Sequence, residues 1–328
     1  MKVTFVFRKL IPEFNSIEML FAGVIAQLNS SVHISLIHVP TARVTLVGVL
    51  KNVFFVLKNR GGIVHITGHV NYLTLFGGCN TILTIHDIGS ATVRKFPFSI
   101  IFSYFWFKIP ILFAKRITVV SGFTRDEVIK LSPYSKNKIR VIPNPVNQDF
   151  IFNPQPFNEF LPKILIVGTK VNKNLERIFR SLSGICCELL ILGKLNLNQI
   201  KLLNDYSIVY TNKFELSLNE VVILYRQADL LCFPSTYEGF GLPILEAQAT
   251  GRPVVTSDLG AMKEVAGNSA CMVDPYDENS IRIGIERVIH DFEYRENLIQ
   301  KGLANVKNYK VEAIAQQYYS LYKEVESE

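Results

Sequence analysis

Twelve short runs rich in Val, Ile and Leu recur along this chain, and segments of helical pattern separate them. In the first half they fall at 2–7 (KVTFVF), 32–39, 62–67, 80–86, 116–120 and 138–142. In the second they fall at 163–168 (KILIVG), 188–193, 207–210, 229–234, 253–256 and 270–273. Runs apolar on both faces suit the strands of a parallel sheet covered by helices. Strand–helix alternation repeated in each half predicts the α/β class, with two doubly wound, Rossmann-like domains. The break is expected in 143–162, PNPVNQDFIFNPQPFNEFLP, whose prolines and asparagines favour turns. A length of 328 residues is enough for two cores, and 48% hydrophobic with 19% charged residues is globular rather than disordered.

Charge is unevenly spread. Residues 1–150 hold 17 Lys and Arg against 6 Asp and Glu, a balance of 17 − 6 = +11. The remainder holds 18 against 22, or −4, which gives the net +7. A basic half suggests an anionic partner, and nucleic acid, an anionic membrane or a phosphorylated substrate all fit. A merely lysine-rich surface is the plainer alternative. The five cysteines (Cys79, Cys186, Cys187, Cys232 and Cys271) show no metal-ligand spacing and read as free thiols of a reducing cytoplasm. The start, MKVTFVFRKLIPEF, has no signal-peptide design. The aromatic segment 96–107, FPFSIIFSYFWF, is shorter than the roughly 20 apolar residues a spanning helix needs. A buried helix is the expectation there, and a helix lying in a membrane interface is the alternative. Residues 47–60, VGVLKNVFFVLKNR, raise the same choice.

The chemistry concentrates at 235–253, STYEGFGLPILEAQATGRP. Pro243 suits the first turn of a helix, so a helix is expected to start near Leu242. Its unpaired N–H groups, with those of Gly239, Phe240 and Gly241, would point at the carboxyl end of the preceding strand and form an anion site suited to a diphosphate. Gly239 and Gly241 allow close backbone approach. Glu238 would sit on the loop and Glu246 one turn into the helix. Carboxylates beside a phosphate pocket make sense when they accept hydrogen bonds from hydroxyl groups, as the acidic residue of dinucleotide sites does for ribose. Two of them flanking one diphosphate point to a nucleotide sugar. Taken singly, each reads as an ordinary helix-terminus or helix-surface acid.

The stretch 233–255, FPSTYEGFGLPILEAQATGRPVV, resembles the signature of the retaining, GT-B-fold glycosyltransferases of family 4 type, a Glu, seven residues, a Glu, then a small-residue segment ending in PVV. ILIVGTKVNKNLERIFRSL (164–182) resembles the opening of that family's donor domain. TILTIHDIG (81–89), ITVVSGFTRDEV (117–128) and VIPNPV (141–146) resemble its acceptor-side domain. The nearest subset is bacterial enzymes of surface-polysaccharide and lipopolysaccharide assembly. The resemblance implies an acceptor-side domain over 1–148, a donor domain over 149–308, and a C-terminal helix, 309–328, crossing back to the first. It implies Lys173 on the donor diphosphate, with Lys170 and Gly168 also in the donor-binding set. Glu246 would take the ribose, Glu238 the sugar hydroxyls, and the backbone of Gly239, Phe240, Gly241 and Leu242 the phosphates. His86 would lie near the donor sugar, with Asp87, His65 and His69 lining the acceptor side. The catalytic set is therefore Glu238, His86 and Lys173. No Asp-x-Asp pair occurs, and neither metal nor cofactor is expected. His65 and His69 lack a third ligand at zinc spacing.

The expected partners are a nucleotide-sugar donor, a glycan or lipid-linked acceptor and an anionic membrane surface on the inner face of the plasma membrane, with no nucleic acid. One departure touches the acceptor side: 8–16, RKLIPEFNS, lacks the glycine-rich loop many relatives carry after the first strand. A nucleotide-sugar 2-epimerase of the same fold is a rival that an acceptor-free product assay separates. A non-enzymatic sugar- or membrane-binding protein is another. A nicotinamide oxidoreductase would carry Gly-x-Gly-x-x-Gly after a first strand, and neither half does.

Overall fold

The computed structural model describes residues 1–10, 16–28, 31–89 and 102–328. Its contacts divide the chain into two units, Met1–Pro145 with Val311–Glu328, and Val146–Lys310. Each is built on one six-stranded, wholly parallel sheet.

Unit 1 holds β1 (Lys2–Phe7), β2 (His33–His38), β3 (Ile63–Ile66), β4 (Thr81–Ile85), β5 (Arg116–Val119) and β6 (Ile139–Val141), in the order β2-β1-β3-β4-β5-β6. Unit 2 holds β7 (Lys163–Val167), β8 (Glu188–Leu192), β9 (Val209–Lys213), β10 (Leu230–Phe233), β11 (Val254–Ser257) and β12 (Cys271–Val273), in the order β12-β11-β10-β7-β8-β9. All twelve apolar runs are strands. The central ones are buried on both faces: β3, β4, β10 and β11 have no exposed residue. Two of the edges, β2 and β9, are half-wet and more polar, and the other two, β6 and β12, are only three residues long. Both devices discourage strand addition.

Helices are placed by local signals. Ser217 and Asn196 each make a reciprocal capping box, with Glu220 and Gln199. The C-terminal helix Val311–Ser327 belongs to unit 1. Its buried stripe, Val311, Ile314, Tyr318, Leu321, Tyr322 and Val325, joins Phe5 and Phe21 in the core. Gly23 lets it come close, since a Cβ there would stand 3.3 Å from Val311 Cγ2.

The strand orders fix where a ligand can bind. In unit 2 the chain runs outward from β7 through β8 to β9, then returns to the other side of β7 with β10. The crevice beyond the carboxyl ends of β7 and β10 is therefore the topological switch point, where open α/β sheets take their ligands. In unit 1 the corresponding point lies between β1 and β3.

Candidate active site

Two loops meet at the switch point of unit 2. After β7 the chain turns at Gly168 (φ +89°), makes a 3-10 turn over Val171–Lys173, and passes through Asn174 in the left-handed region (φ +65°) into the helix Leu175–Ser181. After β10 it runs through 234–240 to Gly241 (φ +101°), and the helix Leu242–Ala249 begins with Pro243 in its first turn. The loops are stitched together. The Thr236 N–H donates to the Asn172 carbonyl (2.8 Å), and Asn172 Nδ2 donates to the Tyr237 carbonyl (2.9 Å) and to Glu238 Oε1 (3.0 Å). Asn174 Nδ2 reaches the carbonyls of Pro234 (3.1 Å) and Pro275 (2.7 Å).

Lys173 lies across this junction. Its Nζ donates to Glu238 Oε1 at 2.6 Å and sits 4.5 Å from the centre of the Phe233 ring, a cation–π distance. Its stem covers Gly168, where a Cβ would meet Lys173 Cε at 2.8 Å. A side chain there would clash and would also force an L residue to φ +89°. Gly168→Ala is therefore expected to displace the ammonium and weaken nucleotide binding at least tenfold while the far-ultraviolet spectrum stays native. Unchanged affinity in a titration would show that the lysine needs no such floor.

Glu246 is held from behind. Its Oε2 accepts the Tyr225 hydroxyl at 2.5 Å, and Tyr225 is fully buried on the helix Leu218–Gln227. Burial pushes the Glu246 carboxyl up to about 7, against the opposing pull of the Tyr225 bond and the Lys173 charge. The Lys173 ammonium pairs with Glu238, and its charge also opposes the upward shift at Glu246. A carboxyl raised from 4.5 to about 7 binds its proton more tightly in the folded chain. Its contribution to stability is complete below pH 4.5 and is lost as pH rises through about 7. Glu246→Gln, neutral throughout, escapes that loss. The ligand-free variant is expected to gain on the parent by about 1–3 kcal/mol at pH 8 and by nothing at pH 4.5. Urea unfolding at both pH values checks this, and an equal difference at both would contradict it.

The remaining residues fall into place unevenly. Phe240 is buried, its ring 5.8 Å from that of Tyr309, and Gly239 is buried beside it. Leu242 is the first helical residue, so its N–H has no intrahelical acceptor. Lys170 is exposed, and its carbonyl accepts the Lys173 N–H (2.9 Å), but its ammonium makes no hydrogen bond or ion pair among the described residues.

In unit 1, His86 follows β4 and is partly buried. Its Nε2 lies 2.8 Å from the Thr67 carbonyl, which can only accept, so Nε2 carries the hydrogen. Burial lowers its pKa, which leaves a neutral ring with Nδ1 as an acceptor. Gly68 makes room for it, since a Cβ there would stand 2.9 Å from His86 Cδ2. His69 (φ +60°) and Asp87 are exposed, and Asp87 Oδ1 caps the Gly89 N–H at 3.0 Å. His65 does not line a surface, contrary to the expectation. It is fully buried in β3, with Nδ1 2.7 Å from the Tyr322 hydroxyl and Nε2 2.7 Å from Thr84 Oγ1, among Phe5, Phe21 and Tyr318. Burial drives its pKa to about 3. It is a core histidine.

Sequence reasoning missed Tyr225, Asn172 and Asn174, the groups that position the acids and the lysine. It also missed Arg8, whose guanidinium meets the Glu18 carboxylate at 3.1 and 3.3 Å after β1. Asn172 and Asn174 lay in the quoted stretch 164–182 and Arg8 in 8–16, whereas Tyr225 lay in none. The loop 8–16 is described only in part, because 11–15 lie outside the described residues. Of the aromatic segment 96–107, residues 96–101 lie outside too. Within the rest Phe107 is buried, but Tyr104 and Phe105 are exposed, so a wholly buried helix is not what forms.

Residues 147–304 match the family model for glycosyl transferases group 1, and residues 40–150 match the model for glycosyltransferase family 4. The chain is 30% identical over 217 residues to the O-antigen chain mannosyltransferase RfbU of Salmonella typhimurium. It is 30% identical over 233 residues to the O-antigen chain mannosyltransferase B of Escherichia coli. Each match covers 64% of this chain and spans 61% of the relative's length. Among solved structures the chain is similar to HepE of Anabaena in complex with UDP and glucose, with a TM-score of 0.79 and 13% identity over 99% of this chain and 100% of that one. At that identity the likeness shows the fold.

Proposed function

We propose, because this chain belongs to the GT-B-fold glycosyltransferases of family 4 type, that it is a retaining, metal-independent glycosyltransferase of bacterial polysaccharide assembly. It would move a sugar from a nucleotide-sugar donor to a glycan or lipid-linked acceptor. The reading is supported by Lys173 and Glu238, paired at 2.6 Å across the two loops at the switch point of unit 2, and by Glu246 on the helix Leu242–Ala249 that follows, its carboxylate held by Tyr225.

Each role follows from what the side chain can do there. The donor diphosphate takes the helix mouth and the Lys173 ammonium. Lys173 is now paired with Glu238, so the diphosphate competes for it and frees a carboxylate oxygen for the sugar hydroxyls. Glu246, steadied by Tyr225, accepts from the ribose hydroxyls, and it does so best when ionised. In the reaction the bond from C1 to the leaving phosphate oxygen breaks, and the acceptor oxygen bonds C1 on the same face. The acceptor's proton passes to the departing phosphate. Negative charge grows on the diphosphate as this happens, and Lys173 stabilises it. On unit 1, His86 is neutral and its Nδ1 can accept a hydrogen bond from a sugar hydroxyl.

A mannosyl donor would agree with the names of the two O-antigen relatives, and a UDP-linked one with the UDP-bound neighbour. Isothermal titration against UDP-, GDP- and ADP-linked sugars separates these. Turnover of the donor that binds, with and without a lipid-linked acceptor, then tests transfer itself. Conversion of the donor sugar without any acceptor would favour the epimerase instead.

A further inference from the structure

A helix covering a sheet normally turns its polar side to water. The helix Leu46–Asn59 of unit 1 does not. Its buried face is Gly48, Asn52, Val53 and Val56. The opposite face shows Leu46 (78% exposed), Val47, Leu50, Phe54 (68% exposed) and Leu57, at helical spacing, with Lys51 and Lys58 exposed among them. A second group stands on a neighbouring segment: Tyr104, Phe105 (64% exposed), Leu112 and Phe113, with the Lys108 ammonium 4.6 Å from the Tyr104 ring centre. The stretch Asn71–Phe76 joins the two. Asn52 Nδ2 donates to the Tyr72 hydroxyl (2.8 Å), the Tyr72 ring lies 5.4 Å from that of Trp106, and Asn71 Nδ2 donates to the Trp106 carbonyl (3.0 Å). One exposed leucine needs no explanation, but large apolar side chains grouped on adjoining elements mark an interaction surface.

Charge indicates what covers it. Between Glu18 and Asp126 the sequence contains a single carboxylate side chain, Asp87, while lysine and arginine recur throughout. A second copy of this face would bring lysine against lysine with no acid to answer it. An anionic, two-dimensional, apolar-backed surface meets both properties at once. No helix among the described residues is long and apolar enough to cross a membrane.

We propose that this face, the helix Leu46–Asn59 with the adjoining Tyr104–Phe113 segment, docks onto the surface of a bilayer containing anionic phospholipid. Leu50, Phe54, Phe105 and Phe113 enter the boundary between headgroups and acyl chains, and Lys51, Lys58 and Lys108 meet the lipid phosphates. The chain lies on the membrane and does not span it. Docking rests on unit 1 alone and is independent of the donor-site reading.

The test is co-sedimentation of the full chain with phosphatidylcholine vesicles, with and without phosphatidylglycerol. Two surface variants accompany it, Leu50→Ser/Phe54→Ser/Leu57→Ser and Lys51→Glu/Lys58→Glu, each checked for a native melting midpoint. The wild type is expected to bind the phosphatidylglycerol vesicles and to release them at high salt. The serine variant should bind at least tenfold more weakly. Charge reversal should lose about fivefold or more per lysine, from roughly 1 kcal/mol for each basic residue at an anionic surface. Trp106 is the single tryptophan and lies beside this face, so brominated lipid should quench it. A wild type that stays in the supernatant at low salt, or natively folded variants that sediment as the wild type does, would overturn the proposal. So would a lipid-free dimer in ultracentrifugation that the serine variant abolishes, since the face would then join two copies.

Discussion

Replacement of Lys173 by methionine is expected to lower kcat by about 10²–10³-fold, the usual cost of removing one preorganised group aimed at developing charge. The ammonium is pinned at 2.6 Å from Glu238, laid over the Phe233 ring and floored by Gly168. It therefore reorganises little when the diphosphate arrives. Its effect should be larger on turnover than on KM, because the charge it answers is largest in the transition state. Arginine in its place should rescue little, since the larger guanidinium has no room above Gly168. Glu238→Ala should likewise act mainly on turnover, by releasing the sugar while the nucleotide remains held. A Lys173→Met enzyme with unchanged kcat and a raised KM would assign the lysine to ground-state binding alone.

Glu246→Ala is expected to abolish tight nucleotide binding. A hydrogen bond to a charged group is worth about 1.5–3 kcal/mol, so losing the acceptor for two ribose hydroxyls costs roughly 10²–10⁴ in affinity. Tyr225→Phe supplies a graded version. It removes the 2.5 Å bond that steadies the carboxylate and opposes its protonation, so the pKa climbs above about 7. Nucleotide affinity should fall at pH 7 and recover as pH rises past the new value. A merely structural tyrosine would lower affinity equally at every pH. Equal affinity in wild type and Glu246→Ala would remove the residue from the site.

The fold was legible because its signal is local and redundant. Each central strand is a short run apolar on both faces, and all twelve runs formed strands. The strand order, which puts β10 beside β7 and so creates the crevice, is a long-range property with no mark in either run. The helix start at Leu242 was legible from Pro243 and the glycines, whose backbone demands are local. His65 shows the opposite case. A histidine in HITGHVNYL looks the same whether its strand faces a cleft or a core, and only the C-terminal helix, which brings Tyr322 to it from 257 positions away, decides. Tyr225 was hidden likewise, as one aromatic among the apolar residues of an amphipathic helix until its hydroxyl met Glu246. The exposed stripe on Leu46–Asn59 was ambiguous because a helical period gives the face but not which side is covered.

The most direct measurement is a crystal structure of the chain with a nucleoside diphosphate bound. Density for the diphosphate is expected at the Leu242 end of the helix Leu242–Ala249, within hydrogen-bond reach of Lys173 Nζ, with the ribose hydroxyls on Glu246. A nucleotide found away from that helix mouth, or one whose ribose turns from Glu246, would contradict the assignment of the site.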